Sequence, residues 1–171
     1  MMNEISLLKK LQILESELGF KNKQFSGACA VELIKEVLRE SGFNVSSRDV
    51  FVKDVPIEID FLIYKDNTKS ELGLLFKPED VLAIFEMKKS GIITDEGKIK
   101  VGSDFSRMKT YHPNIKRFYI TFSENPSLIS DIKKSDESFT FFIRRNGKYS
   151  STGDYDRFIK SLEFLQPHIQ P

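Results

Sequence analysis

Apolar residues recur at every third or fourth position at the start of the chain and at every second position further on. Across residues 3–18, Ile5, Leu8, Leu11, Leu14 and Leu18 fall at helical spacing. The loop GFKNKQFSG follows. Ala30, Val31, Ile34, Val37 and Leu38 then predict a second helix from about Ala28 to Ser41, ended by Gly42 as a C′ glycine. Beyond it the period falls to two. NVSSRDVFV and PIEIDFLIY read as strands, the second setting Ile57, Ile59, Phe61 and Ile63 against Glu58, Asp60, Leu62 and Tyr64. A turn-rich insertion, KDNTKSELG, leads through LLFKPED to a third strand, VLAIFEMKK, broken by Ser90-Gly91. After a polar loop, SDFSRMKTY starts a helix with Ser103 as its N-cap. RFYITF is apolar enough for a central, parallel strand, PSLISDIKK suits a short helix, and FTFFIRR is a fifth strand ending at the hairpin signal Asn146-Gly147. The amphipathic DYDRFIKSLEFLQ closes the chain as a helix. These elements predict one α/β domain over residues 1–171, a mixed central sheet flanked by helices.

Composition agrees with a core-forming chain. Apolar residues make up 40% and charged residues 30% of 171 positions, and fifteen Phe without any Trp point to a core of packed phenyl rings. The single cysteine, Cys29, excludes an internal disulfide, and with two histidines, His112 and His168, neither structural zinc nor histidine-centred catalysis is expected. No signal peptide, membrane span or glycine-rich phosphate loop is read, so the expectation is a cytoplasmic protein that does not use ATP by itself. The net charge of +1 excludes a broadly basic nucleic-acid binder. A local patch is available between Lys88 and Arg117, where eight basic residues meet three acidic ones; a solvated face explains the same bias.

The chemistry concentrates in two strands. Glu86 and Lys88 in VLAIFEMKK point to one face while Phe85 and Met87 point to the other. Asp60 stands among apolar neighbours in PIEIDFLIY, where a carboxylate needs a partner. If the two strands are neighbours, the three side chains converge. Asp60, Glu86 and the main-chain carbonyl of Met87 would then offer hard oxygen ligands to Mg²⁺, or to Mn²⁺ in its place. Lys88 would orient an attacking water or stabilise developing charge. The plain alternative is an ion pair of Lys88 with Asp60 and Glu86 and no metal. Glu-x-Lys by itself carries little: Glu96-Gly97-Lys98, in the expected loop, and Asp131-Ile132-Lys133, in the expected short helix, match the same pattern. Only Glu86-Met87-Lys88 has the strand, the apolar flanks and an upstream acidic strand residue.

In those residues the chain resembles the PD-(D/E)xK nuclease superfamily, over about residues 26–123. VELIKEVLRESGF, PIEIDFLIY, VLAIFEMKK, SDFSRMKTY and RFYITF stand in the superfamily's order of helix, Asp strand, Glu-x-Lys strand, helix and strand. The run from FSGACAVELIKEVL to KPEDVLAIFEMKKS is most similar to an uncharacterised bacterial family within it, and ELIKEVLRESGF also resembles archaeal Holliday-junction resolvases. The motif's proline stands at Pro56 rather than beside the aspartate.

The resemblance implies a restriction-endonuclease-like fold and metal-dependent hydrolysis of DNA, with Asp60 and Glu86 as ligands and Lys88 as the catalytic lysine. The superfamily's helix glutamate maps to Glu32, although the glycine spacing before it is off by one. Glu58 shares a face with Asp60 and is either a second ligand or an exposed edge residue. Lys89, Arg107 and Lys109 are the candidate DNA contacts; Arg107 and Lys109 are equally readable as a plain exposed helix face, and Lys89 reads more readily as solvated. The expected function is a Mg²⁺-dependent DNA endonuclease of restriction or defence, acting as a homodimer. The alternatives are a resolvase-like or repair nuclease and an inactive nuclease fold that only binds nucleic acid or a partner. The chain is short for base-reading loops, which favours limited specificity or a second subunit that supplies the target.

Overall fold

The computed structural model describes residues 2–18, 22–88, 95–124 and 138–168. Helix α1 (Glu4–Glu17) starts where the Asn3 side chain accepts the Ser6 amide, and α2 (Lys23–Glu40) starts where Asn22 accepts that of Phe25. The second helix therefore begins five residues before Ala28. Lys23–Gly27, expected as loop, is helical because Asn22 caps it and Ser26 is buried against Glu15. Its far end is a Schellman turn: Phe43 N–H reaches Leu38 O at 3.1 Å, Gly42 N–H reaches Arg39 O at 2.9 Å, and Gly42 takes φ +88°.

The strands are β1 (Asn44–Val45), β2 (Val50–Val52), β3 (Val55–Ile59), β4 (Phe61–Tyr64), β5 (Leu75–Phe76), β6 (Val81–Lys88), β7 (Lys116–Glu124), β8 (Ser138–Arg145) and β9 (Lys148–Ser151). Six of them form one mixed sheet in the order β1-β4-β6-β7-β8-β9, and β3-β2-β5 form a smaller one. β7 pairs parallel with β6 and β8 on either side, the central place its sequence predicts. Asn146 and Gly147 both take positive φ, 47° and 79°, as the tight turn between β8 and β9 requires.

PIEIDFLIY is two strands rather than one. β3 belongs to the small sheet and β4 to the large one, and Asp60 stands at the crossing. Ile57 and Ile59 pack into one hydrophobic cluster, whereas Phe61 and Ile63 pack into another. The alternation thus changes phase at Asp60. Helix α3 (Asp95–Tyr111) begins eight residues before Ser103, so Glu96-Gly97-Lys98 is helical and not a loop. Asp131-Ile132-Lys133 and the short helix expected there lie outside the described residues. Among the described residues no helix is long and apolar enough to cross a membrane.

Two cores sandwich the large sheet. The larger takes Leu7 and Leu11 of α1, Ile34 and Leu38 of α2, the rings of Phe61, Phe85, Phe118, Phe139 and Phe141, and Phe158 of the last helix, α4 (Asp154–Leu162). The smaller holds Ile57, Ile59, Leu62 and Ile84 against Met108 of α3. Tyr155 of α4 donates its buried hydroxyl to the main-chain oxygen of Met2, which ties the two ends of the chain together.

Burial, with Glu40, Asp156 and Glu4 nearby, pushes the Tyr155 phenol up to about 12. The phenol stays protonated in the fold while an unfolded tyrosine ionises near pH 10. Its contribution is therefore complete below pH 10 and is lost as pH rises toward 12. The Tm of the wild type is expected to fall across that window more steeply than that of Tyr155→Phe; parallel curves would contradict the contact.

Candidate active site

β4 and β6 are antiparallel neighbours, with Phe61 opposite Phe85. One residue earlier the chain leaves for the small sheet, and the edge of β6 beyond Phe85 loses its strand partner on that side. The Asp60 carboxylate takes over: its Oδ2 accepts the Met87 N–H at 2.6 Å. In an extended strand a residue's N–H and C=O face the same neighbour. The Met87 carbonyl therefore faces the side of Asp60, where a ligand oxygen was expected.

On β6 the inward positions Phe85 and Met87 are buried in the main core, and Glu86 and Lys88 occupy the opposite face. Lys88 Nζ bonds Glu86 Oε1 at 2.7 Å, with side-chain exposures of 50% and 23%, so the pair is half-open to solvent. The structure thus joins all three residues: Asp60 to the strand backbone between Glu86 and Lys88, and Glu86 to Lys88 directly.

Their electrostatics follow from that arrangement. Burial raises the Asp60 carboxyl above its ordinary value, against the Met87 hydrogen bond and the charges of Lys88 and Arg48, which lower it; Asp49 adds to the rise. Burial also disfavours the Lys88 ammonium, but the Glu86 hydrogen bond, the Glu86 charge and Asp60 more than offset it, and the net shift is upward. Lys88 is a cation here. A carboxylate that burial makes costly is one that a bound cation relieves. The donor set of two carboxylates and a carbonyl suits Mg²⁺ chemically. Asp60→Asn, which keeps an acceptor for Met87 and removes the charge, is expected to raise the Tm of the protein at neutral pH. A lowered Tm would show that the charge stabilises the fold.

Glu32 is placed otherwise. Its carboxylate pairs with the buried Lys35 at 3.0 Å and is itself half-exposed. Among the described residues no three His, Cys, Asp or Glu side chains gather as a metal site, and Glu32 is engaged with Lys35. Glu58 is exposed and lines a narrow cleft with Glu86 and with Asp104 and Phe105 of α3. Arg107 and Lys109 are exposed on that helix, a turn or so beyond Asp104. Lys89 lies outside the described residues. Arg117, counted in the basic stretch, is buried on β7 and donates to the Ile115 carbonyl, so it adds nothing to a surface patch.

Three residues that the sequence did not single out stand around the site. Asp104 borders the cleft beside Glu86, and Arg48 and Asp49 act on Asp60 from the loop before β2, the Asp49 N–H reaching Asp60 O at 3.1 Å. Nothing local in SSRDV marks them; they matter only because β2 lies beside the crossing. A cavity of about 780 Å³ lies at the other end of β6, lined by Lys65, Tyr111, His112 and Phe164 among others. It holds none of the trio.

The fold has parallels among solved structures. NucC of E. coli MS115-1 in its cAAA-bound form superposes with a TM-score of 0.60 at 15% identity, covering 94% of this chain and 88% of that one. The chain shares the NucC fold. NucC of P. aeruginosa ATCC27853, also cAAA-bound, gives 0.57 at 12% over 96% and 90% of the two chains, and the apo form of the E. coli protein gives 0.56 at 12% over 98% and 93%. The likeness to NucC spans nearly the whole length of both chains and, at this identity, is one of fold. No protein-family model and no curated protein matches the chain.

Proposed function

We propose that the protein is a Mg²⁺-dependent endonuclease of the PD-(D/E)xK superfamily that hydrolyses DNA phosphodiester bonds, with Asp60, Glu86 and Lys88 as its active site. The observation that carries this reading is the hydrogen bond from Met87 N–H to Asp60 Oδ2. It fixes one carboxylate oxygen at the unpaired edge of β6, leaves the other for a ligand, and sets Asp60 beside the Glu86–Lys88 pair. A metal-free ion pair needs no such crossing between sheets.

Asp60, Glu86 and the Met87 carbonyl would hold the ion. When bound, the metal supplies an activated water and neutralises charge on the phosphate. Lys88, released from Glu86, would hold its ammonium against the reacting phosphate or the attacking water. Arg107 and Lys109 on α3, with Lys89, would meet the backbone of the duplex. The NucC fold supports a role in defence, and a homodimer would let two such sites address two strands.

The test is cleavage of supercoiled plasmid, linear duplex, single-stranded DNA, RNA and a four-way junction in Mg²⁺, Mn²⁺ or EDTA, with and without added cAAA. EDTA-sensitive cutting of plasmid and duplex is expected. Preference for the junction would make the enzyme a resolvase, and no cleavage under any condition would leave a binding module.

A further inference from the structure

The face of the large sheet that carries Glu86 and Lys88 continues onto β7. Glu86 stands opposite Tyr119, and Lys88 opposite Thr121, which in turn faces Thr140 of β8. The alternate residues Phe118, Ile120 and Phe122 enter the main core, so Thr121 shares the face of Lys88. Side chains paired across adjacent strands lie about 5 Å apart. Thr121 is only 1% exposed, and among the described residues its Oγ1 has no hydrogen-bond partner. A buried hydroxyl left unpaired is a standing cost. Valine would give the strand the same branched shape without it.

We propose that Thr121 is a positioning residue for Lys88: its Oγ1 accepts a hydrogen bond from Lys88 Nζ once Glu86 turns to its ligand. With Glu86 as its partner, the ammonium is held at 2.7 Å. When Glu86 is engaged elsewhere, Thr121, paired with Lys88 across the strands and with its hydroxyl unpartnered among the described residues, is an acceptor on that face, and a lysine with three donors and a flexible stem can make the exchange. Thr121 thus keeps the ammonium on the sheet and aimed at the site. The role in catalysis rests on the nuclease reading; the contact does not.

A double-mutant cycle in the metal-free protein tests the contact. Thr121→Val alone is expected to leave Tm unchanged or raise it, since Lys88 then binds Glu86. In a Glu86→Ala background, where Lys88 has lost that carboxylate, the same change is expected to lower Tm. Additive effects overturn the proposal. In cleavage assays Thr121→Val is expected to lower kcat by about tenfold with KM unchanged, and Thr121→Ser to restore most of it. Wild-type kcat in Thr121→Val overturns the catalytic role, and so does a kcat loss accompanied by a lower Tm of that single variant, which marks a structural hydroxyl. If the wild type cuts nothing, the nuclease reading fails while the cycle still decides the contact.

Discussion

Replacing Glu86 by alanine is expected to abolish metal-dependent cleavage, by at least about 10³-fold in kcat, or roughly 4 kcal/mol of transition-state stabilisation. The change removes one of the two carboxylates at the end of β6 and frees Lys88 from its 2.7 Å contact. It takes little from the fold. Glu86 is not in either core, and a half-open ion pair contributes about 1 kcal/mol or less. Cleavage measured beside a thermal melt separates the two effects. Lost cutting with Tm within a few degrees of the wild type is the expected result; retained cutting would remove Glu86 from the site.

The second large effect concerns stability. Phe85 is fully buried, stacked 4.6 Å from Phe61 and 5.0 Å from Phe118, with Phe158 of α4 meeting it edge-on at 6.4 Å. The rings thus tie β4, β6, β7 and α4 through one side chain, on the residue next to Glu86. Phe85→Ala opens a cavity the surrounding strands cannot close, and is expected to cost about 3–5 kcal/mol of unfolding free energy. Phe85→Leu should cost distinctly less. Urea denaturation of both variants checks this: a loss under about 1 kcal/mol for Phe85→Ala would mean that the stack does not organise the core. The same strand carries the stack on one face and the candidate chemistry on the other, so the apolar side fixes where Glu86 and Lys88 point.

Much of this was legible from spacing alone, and what was not has identifiable causes. Helical periodicity located α1, α2 and α4, although on α1 the buried residues are Leu7 and Leu11, with Leu8 and Leu14 partly buried, while Ile5 of the expected stripe is exposed. The start of α2 was hidden because KQFSGACA holds Gly27 and few apolar residues, whereas the cap at Asn22 is a geometric fact. The start of α3 was hidden by Gly97 and Gly102 in a polar run. β9 was missed because KYSS is polar and pairs only at the sheet edge. PIEIDFLIY misled most instructively. A period of two cannot reveal a chain that passes from one sheet to another, since both halves alternate correctly and only their phase differs. That crossing is what turns Asp60 from a strand residue into a carboxylate facing a vacant strand edge. The Glu86-Met87-Lys88 signal was legible because strand alternation alone sets its two charges on one face. Arg117 shows the opposite limit: its charge suggested surface, and its place on central β7 buries it.

The proposed metal-dependent phosphodiester-cleaving site of Asp60, Glu86 and Lys88 stands or falls with its lysine. It is tested most directly by nicking of supercoiled plasmid in Mg²⁺ by the wild type and by Lys88→Ala, each with and without EDTA. Lys88 is half-exposed and lies in neither core, so its loss should leave the protein folded. The expected result is nicking by the wild type that EDTA stops and that Lys88→Ala lacks. Nicking that survives EDTA, or that Lys88→Ala performs at the wild-type rate, would contradict it.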